Sequence, residues 1–370
     1  MFLGIITIII LVITIILKPY QYLVIFTSKS LDCLGEITKE EEILLDFIKT
    51  NLTNKEGGIY TNYKDSENSG DITKGHSILS ESQGIILMYY FYRNDAIGFE
   101  NTYKFIKENM LLENNLISWR IDEKEQSKTS ATIDDLRIVK ALLYGSEVFS
   151  EIKYKNLAFK ISESIYDNLI TQDNLIDFKD EYGKSNNTTL CYLDLETIDM
   201  LTKVSSKWKP IYENSIELIN KSYISDKLPL HKTTYNIETN SFDKKDIDLL
   251  LSLIVINNKA LVGEDVTKSV AWLEKTLYKK GRLVSTYNEE GEEISNIQST
   301  SIYAMVAELG STIHNEKLYN EAIKQMKKYQ IKNKKSSIYG AFGDENTEEV
   351  YSYDNLNALI ALRRRCTNDN

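Results

Sequence analysis

Glu81 is the residue whose neighbours best suit it to donate a proton. It stands in Ser80-Glu81-Ser82-Gln83-Gly84, after a loop that ends at His76 and before the apolar residues 85–92. This spacing predicts a carboxyl in the first turn of a helix whose next two turns are buried. Such a carboxyl is held rigidly and partly shielded from water, as a general acid requires. A carboxylate there can equally be a helix cap that satisfies free N–H groups and the dipole. The rest of the chain has to weigh the two roles.

Similar acids recur along the sequence. Asp134 and Asp135, Asp194 beside Tyr192, Asp246 and Asp248, and Asp354 beside Tyr353 each open an apolar stretch, as the uncharged Gln298 does. Helix caps alone account for several of these. They do not account for the aromatics in equivalent places on the preceding segments, Trp119, Phe178, Tyr287 and Phe342. Acids with aromatic platforms around one cleft suit a sugar chain. Pyranose rings stack on aromatic faces, and glycosidic cleavage uses a pair of carboxyl groups.

The elements that position these residues form a repeat. Apolar residues at helical spacing predict twelve helices, near 38–54, 79–94, 99–112, 131–149, 151–171, 190–205, 208–224, 244–258, 264–279, 296–313, 316–331 and 351–364. Every second connection carries a short strand-like stretch with an aromatic residue. The unit of helix, strand-like loop and helix recurs six times, about every 55 residues, without cap-like end repeats, which predicts closure. The fold class is therefore all-α, an (α/α)6 barrel. The second helix of each unit is the more apolar and forms the inner ring. The decorated loops and the first turns of the inner helices then share one end of the barrel.

Composition narrows the partners. The chain has 370 residues and a net charge of −10, which argues against a nucleic-acid partner and fits a neutral or cationic one. Three cysteines and three histidines lack metal-ligand spacing, so neither a metal site nor a disulfide framework is expected. Residues 2–17 carry no charge, Lys18-Pro19 interrupts, and residues 20–26 are apolar again. We expect residues 1–30 to be a membrane anchor or signal segment and residues 31–370 to be the catalytic domain. The missing basic n-region favours an uncleaved single-pass anchor with the domain outside the cytoplasm, over secretion after signal cleavage.

The segment 80–84 resembles the Ser-Glu-Gly-Gln-Gly general-acid motif of glycoside hydrolase family 8, the inverting endoglucanases and cellulose-synthesis hydrolases. Residues 116–120, with Trp119-Arg120, and residues 130–143, with Asp134-Asp135-Leu136, are similar to the family's Trp-Arg segment and its Ser-Ala-Ser/Thr-Asp-Gly-Asp-Leu helix start. The resemblance covers residues 38–364 and is specific only from 80 to 143. It implies an (α/α)6 barrel and inverting cleavage of a β-linked polysaccharide, such as an exopolysaccharide, without metal or organic cofactor. Glu81 would be the general acid, and Asp246, in Lys245-Asp246-Ile247-Asp248-Leu249, the best match to the general base. Their carboxyls would stand roughly 6.5–9.5 Å apart to admit the attacking water. Asp134, Asp135, Trp119, Tyr192 and Gln83 are expected to contact the sugar. Two departures stand out. The family Asp that touches the sugar at the cleavage point falls on Ile133, and the Tyr and Arg that flank the base are changed.

Two other classes compete. One is a non-catalytic polysaccharide-binding component of an export or assembly system, with a polysaccharide synthase complex as a possible partner. The other is an unsaturated uronyl hydrolase or a polysaccharide lyase. The acidic helix starts argue against the acidic sugar that either of these would bind.

Overall fold

The chain folds into two concentric rings of helices. A computed structural model describes residues 19–65, 75–123 and 125–365, and among these there are twelve α-helices. The outer ring is α1 (Lys39–Phe47), α3 (Ala96–Phe105), α5 (Ile152–Asn168), α7 (Lys209–Lys221), α9 (Thr267–Lys280) and α11 (Glu316–Met326). The inner ring is α2 (Ser80–Arg93), α4 (Thr132–Val148), α6 (Leu195–Val204), α8 (Leu249–Leu261), α10 (Thr300–Thr312) and α12 (Ser352–Arg363). Each inner helix packs on the next, and α12 packs back on α2, which closes the (α/α)6 barrel. The uncharged run 2–17, loop residues 66–74 and the tail 366–370 lie outside the described residues.

Burial separates the rings as the sequence predicts. In α2 every residue from Ser82 to Tyr92 is buried, because both faces meet protein. In α11 only Leu318, Tyr319, Ala322, Gln325 and Met326 are buried, a single stripe at helical spacing. The rings approach closely where side chains are small. A Cβ on Gly145 of α4 would stand 2.2 Å from the Phe99 ring of α3.

The strand-like loops pair into short sheets at the end where the inner helices begin. β1 (Ile78–Leu79) pairs with β2 (Arg120–Asp122), which pairs with β3 (Glu125–Gln126), all antiparallel. A second pair joins β4 (Ile247–Asp248) to β5 (Thr286–Tyr287). The inner helices hold these loops by a shared device. The fourth residue of α4, α8, α10 and α12 accepts a backbone N–H from the preceding loop: Asp135 from Ile117 at 2.8 Å, Ser252 from His231 at 3.0 Å, Tyr303 from Leu283 at 3.1 Å and Asn355 from Phe342 at 2.8 Å.

Two predicted boundaries move for local reasons. α8 starts at Leu249 rather than near 244, because residues 247–248 are strand and the Asp248 side chain caps the helix through Leu251 N. α6 starts at Leu195, because residues 190–192 form a 3-10 turn and Asp194 caps through Thr197 N. The second apolar run forms a strap on the barrel, where Phe26 is buried, the Tyr22 ring meets Phe159 edge-on, and Lys155 donates to the Val24 carbonyl at 3.0 Å. Among the described residues no helix is long and apolar enough to cross a membrane.

Candidate active site

Helical periodicity carries Glu81 to the inside of the barrel. Ile85, Met88 and Tyr92, at four, seven and eleven residues beyond it, line a cavity of about 120 Å³ along the barrel axis. On α4, Ile133, Arg137 and Lys140 line the same cavity, as Tyr353, Asn357 and Ile360 do on α12. Glu81 therefore stands at the mouth of this interior, on the same helical face, with its side chain half-buried.

The neighbours of Glu81 form one ionic cluster. Ser80 donates its hydroxyl to Asp134 at 2.6 Å, and Arg137 donates to the other oxygen of Asp134 at 2.8 Å. Arg137 reaches the cluster because the facing residue on α2 is Gly84, where a Cβ would meet its Cδ at 3.1 Å. Burial first, and then the charge of Asp134, push the Glu81 carboxyl up to about 7, against the pull of Arg137. Burial also raises Asp134, opposed by Arg137 and the Ser80 hydroxyl. Among the described residues no hydrogen bond holds the Glu81 carboxyl. It is therefore an acid that still keeps about half of its protons at neutrality, unlike an ordinary carboxyl.

Tyr353 lines the same cavity, and Tyr192 stands in the 3-10 turn beside Cys191, which also lines it. Burial raises both phenols, and the charge of Glu81 adds to each shift. Trp119 lies beside the start of α2, since its carbonyl accepts the Ser80 N–H at 3.0 Å. Its indole N–H is fixed on Ser127 at 3.0 Å, and the Arg120 guanidinium lies 5.8 Å from the ring centre. The ring is partly exposed, as a sugar platform must be.

Several expected site residues belong to the scaffold. Asp135 is fully buried, and its carboxyl ties down the loop at Ile117, so it cannot touch a sugar. Gln83 is the fourth residue of α2, fully buried in the ring, and both amide atoms lack a partner among the described residues. Tyr287 and Phe342 are each 1 % exposed and fill the core rather than the cleft. Phe178, at 39 %, is open to solvent. Asp194 and Asp248 are helix caps, and Asp194 also pairs with Lys140 at 2.7 Å. Asp246 lies at the same end of the barrel as Glu81, on the loop just before β4, exposed and without a side-chain partner among the described residues.

Sequence reasoning missed Asp177. Its carboxylate accepts the Thr189 N–H at 2.5 Å and the Thr189 hydroxyl at 2.9 Å. Burial pushes it up to about 6, opposed by these bonds, and its charge reaches Tyr192. Its backbone carbonyl accepts the Thr132 N–H at the start of α4. Asp177 sits in a strand-like loop, whereas the search for acids followed helix starts. Arg137 was equally hidden, because its position five residues into α4 is legible only once Gly84 is known to face it.

Comparison with known proteins decides the family. The family model described as "Glycosyl hydrolases family 8" matches residues 54–252, more than half of the chain. The chain belongs to this family. It is a glycoside hydrolase, with the (α/α)6 barrel of family 8. A solved structure described as a novel alpha-amylase from Clostridium perfringens is 46 % identical, with a TM-score of 0.85 over 88 % of this chain and 97 % of its own. PssZ from Listeria monocytogenes is 21 % identical, with a TM-score of 0.69 over 90 % of this chain and 97 % of its own, and shares the fold. A Bacillus subtilis (strain 168) protein named "Putative lipoprotein YdaJ" is 26 % identical over 325 residues, which are 86 % of this chain and 85 % of that protein.

Proposed function

We propose that this family 8 chain hydrolyses a polysaccharide with inversion at the anomeric carbon and that Glu81 is the general acid. One observation carries the assignment: a half-buried carboxyl at the mouth of the barrel, pushed up to about 7 and, among the described residues, unspent on any hydrogen bond. In the reaction the Glu81 O–H proton passes to the glycosidic oxygen as the C1–O bond breaks. A water attacks C1 from the opposite face and gives its proton to a second carboxylate. Tyr192, Tyr353 and Trp119 surround the acid and supply sugar contacts, with Asp134 and Arg137 behind it setting its proton affinity.

Two carboxylates compete for the role of base. Asp246 is the position that the family pattern points to, but nothing among the described residues holds its side chain. Asp177 is held in place by Thr189 and ionises near 6, so at neutral pH it is mostly charged while about half of Glu81 keeps its proton. These properties favour Asp177. In Asp177→Asn, rescue by added azide would yield a glycosyl azide and mark the missing base. The same rescue in Asp246→Asn alone would return the role to Asp246.

Family 8 membership supports a β-linked polysaccharide. A specific observation favours a second reading, an α-linked glucan: the 46 % identical relative is described as an alpha-amylase. Amylose and mixed β-glucans are therefore assayed side by side by NMR, reading the anomer of the first-formed product. Inversion gives a β product from amylose and an α product from a β-glucan. Retention of configuration on either substrate would refute the mechanism. We further propose that residues 2–17 anchor the enzyme in a membrane with the barrel outside the cytoplasm, where a polysaccharide, and a synthase that makes it, would be in reach. The uncharged run itself and the lipoprotein name of a 26 % identical relative support this placement.

A further inference from the structure

The inner helices begin at the catalytic mouth and end at the opposite, closed end, where each chain segment turns into the next outer helix. Large apolar side chains are exposed there. On the strap Leu23 is 79 % exposed and Ile25 73 %. At the turn from α4 to α5 Val148 is 39 % and Ile152 57 % exposed, and at the turn from α2 to α3 Ile97 is 76 % exposed. The strap is fixed beside the α4–α5 turn. Lys155, in the first turn of α5, donates to the Val24 carbonyl at 3.0 Å, pairs with Glu147 at 2.6 Å and lies 5.3 Å from the centre of the buried Phe26 ring. The exposed residues on either side of this pin thus share one end of the molecule.

The residues just before the strap indicate what covers this face. Residues 2–17 are uncharged and joined to it through Lys18-Pro19. A helix of that run, about 24 Å long, would be apolar on every side. Docked on the barrel, it would bury one side and leave the rest in water, whereas lipid covers all of it. We propose that the closed end of the barrel, at Leu23, Ile25, Val148 and Ile152, is a lipid-contacting face that seats the enzyme on the bilayer beside its anchor. This rests on the anchoring reading above and adds an orientation. α4 runs 17 residues from mouth to closed end, about 25 Å. The catalytic mouth therefore opens away from the lipid, towards polymer in the surrounding medium, and isolated apolar side chains at the closed end enter the headgroup boundary.

The test uses the full-length protein carrying an environment-sensitive fluorescent residue at position 25 or at position 182. Tyr182 is 89 % exposed on the loop after Phe178, on the side of the mouth. Each protein is floated with phosphatidylcholine–phosphatidylglycerol vesicles bearing a lipid-attached quencher. The expected result is co-flotation with a blue shift and quenching at position 25, and neither at position 182. Co-flotation without a change at 25, or quenching at 182, overturns the proposed face while anchoring stands. A blue shift at 25 without lipid means that protein, either residues 2–17 or a second copy, covers the face, and it also overturns the proposal. A protein that does not float refutes the anchoring reading, and the proposal falls with it.

Discussion

Replacing Asp134 by Asn should move the alkaline limb of activity without removing the acid. As the proposed general acid Glu81 must be protonated, so kcat/KM is expected to fall as pH rises through its pKa, which lies at about 7. After burial, the negative charge of Asp134 is the main reason for that value. The two carboxyls are neighbours, since Asp134 accepts from Ser80, the residue beside Glu81, at 2.6 Å. Two carboxylates about 6 Å apart at an effective dielectric of about 20 repel by about 3 kcal/mol, or about two pH units. Arg137 sits on Asp134 and neutralises part of this, so the expected fall is about one pH unit. Arg137, freed from Asp134, then stabilises the Glu81 carboxylate and pushes in the same direction. The assay is the pH profile of kcat/KM on soluble polysaccharide, with the wild type run in parallel. An unmoved limb with a lower kcat would refute the reasoning and make Asp134 a substrate contact.

Three further outcomes follow from the same geometry. Glu81→Gln should be inactive yet more stable than the wild type at pH 8: the unfolded carboxyl ionises near 4.5 and the folded one near 7, so wild-type stability falls between those values by on the order of 3 kcal/mol, as urea unfolding at pH 4 and pH 8 would show. Asp135→Asn should keep full activity and stability, because burial holds this carboxyl well above its usual range and Asn still accepts the Ile117 N–H; loss of kcat with unchanged stability would return Asp135 to the catalytic site. Trp119→Ala should raise KM roughly fivefold at nearly constant kcat, the value of about 1 kcal/mol for one aromatic contact, measured by initial rates on oligosaccharides.

The barrel was legible in the sequence because its signal is a repeat. Six copies of an apolar helix after a strand-like loop fix both the closure and the inner ring, and errors at single boundaries, such as α8 at Leu249, leave the architecture unchanged. Glu81 was legible because its first-turn position and its helical phase with Ile85, Met88 and Tyr92 are both local. The rest of the site depends on which way adjacent residues point, and there the first turn of a helix is ambiguous. Asp134 faces the acid while Asp135, one residue on, is turned by about 100° into the loop contact. Asp194 and Asp248 are consumed as caps, the ordinary role for an acid at that position. Tyr287 and Phe342 share a pattern with Trp119, but burial separates them, and burial is set by how neighbouring loops pack. Asp177 and Arg137 gain their places from partners on other elements, Thr189 and Gly84, which no spacing along the chain reveals.

The central claim is that Glu81, at the mouth of the inner ring, supplies the proton that breaks the glycosidic bond. The most direct measurement is the rate of polysaccharide hydrolysis by Glu81→Gln, with circular dichroism and thermal unfolding confirming the native fold. The account predicts a loss of kcat of about a thousandfold or more, within the usual range for removing a general acid. A natively folded Glu81→Gln protein that releases sugar at a rate near the wild type's would contradict it.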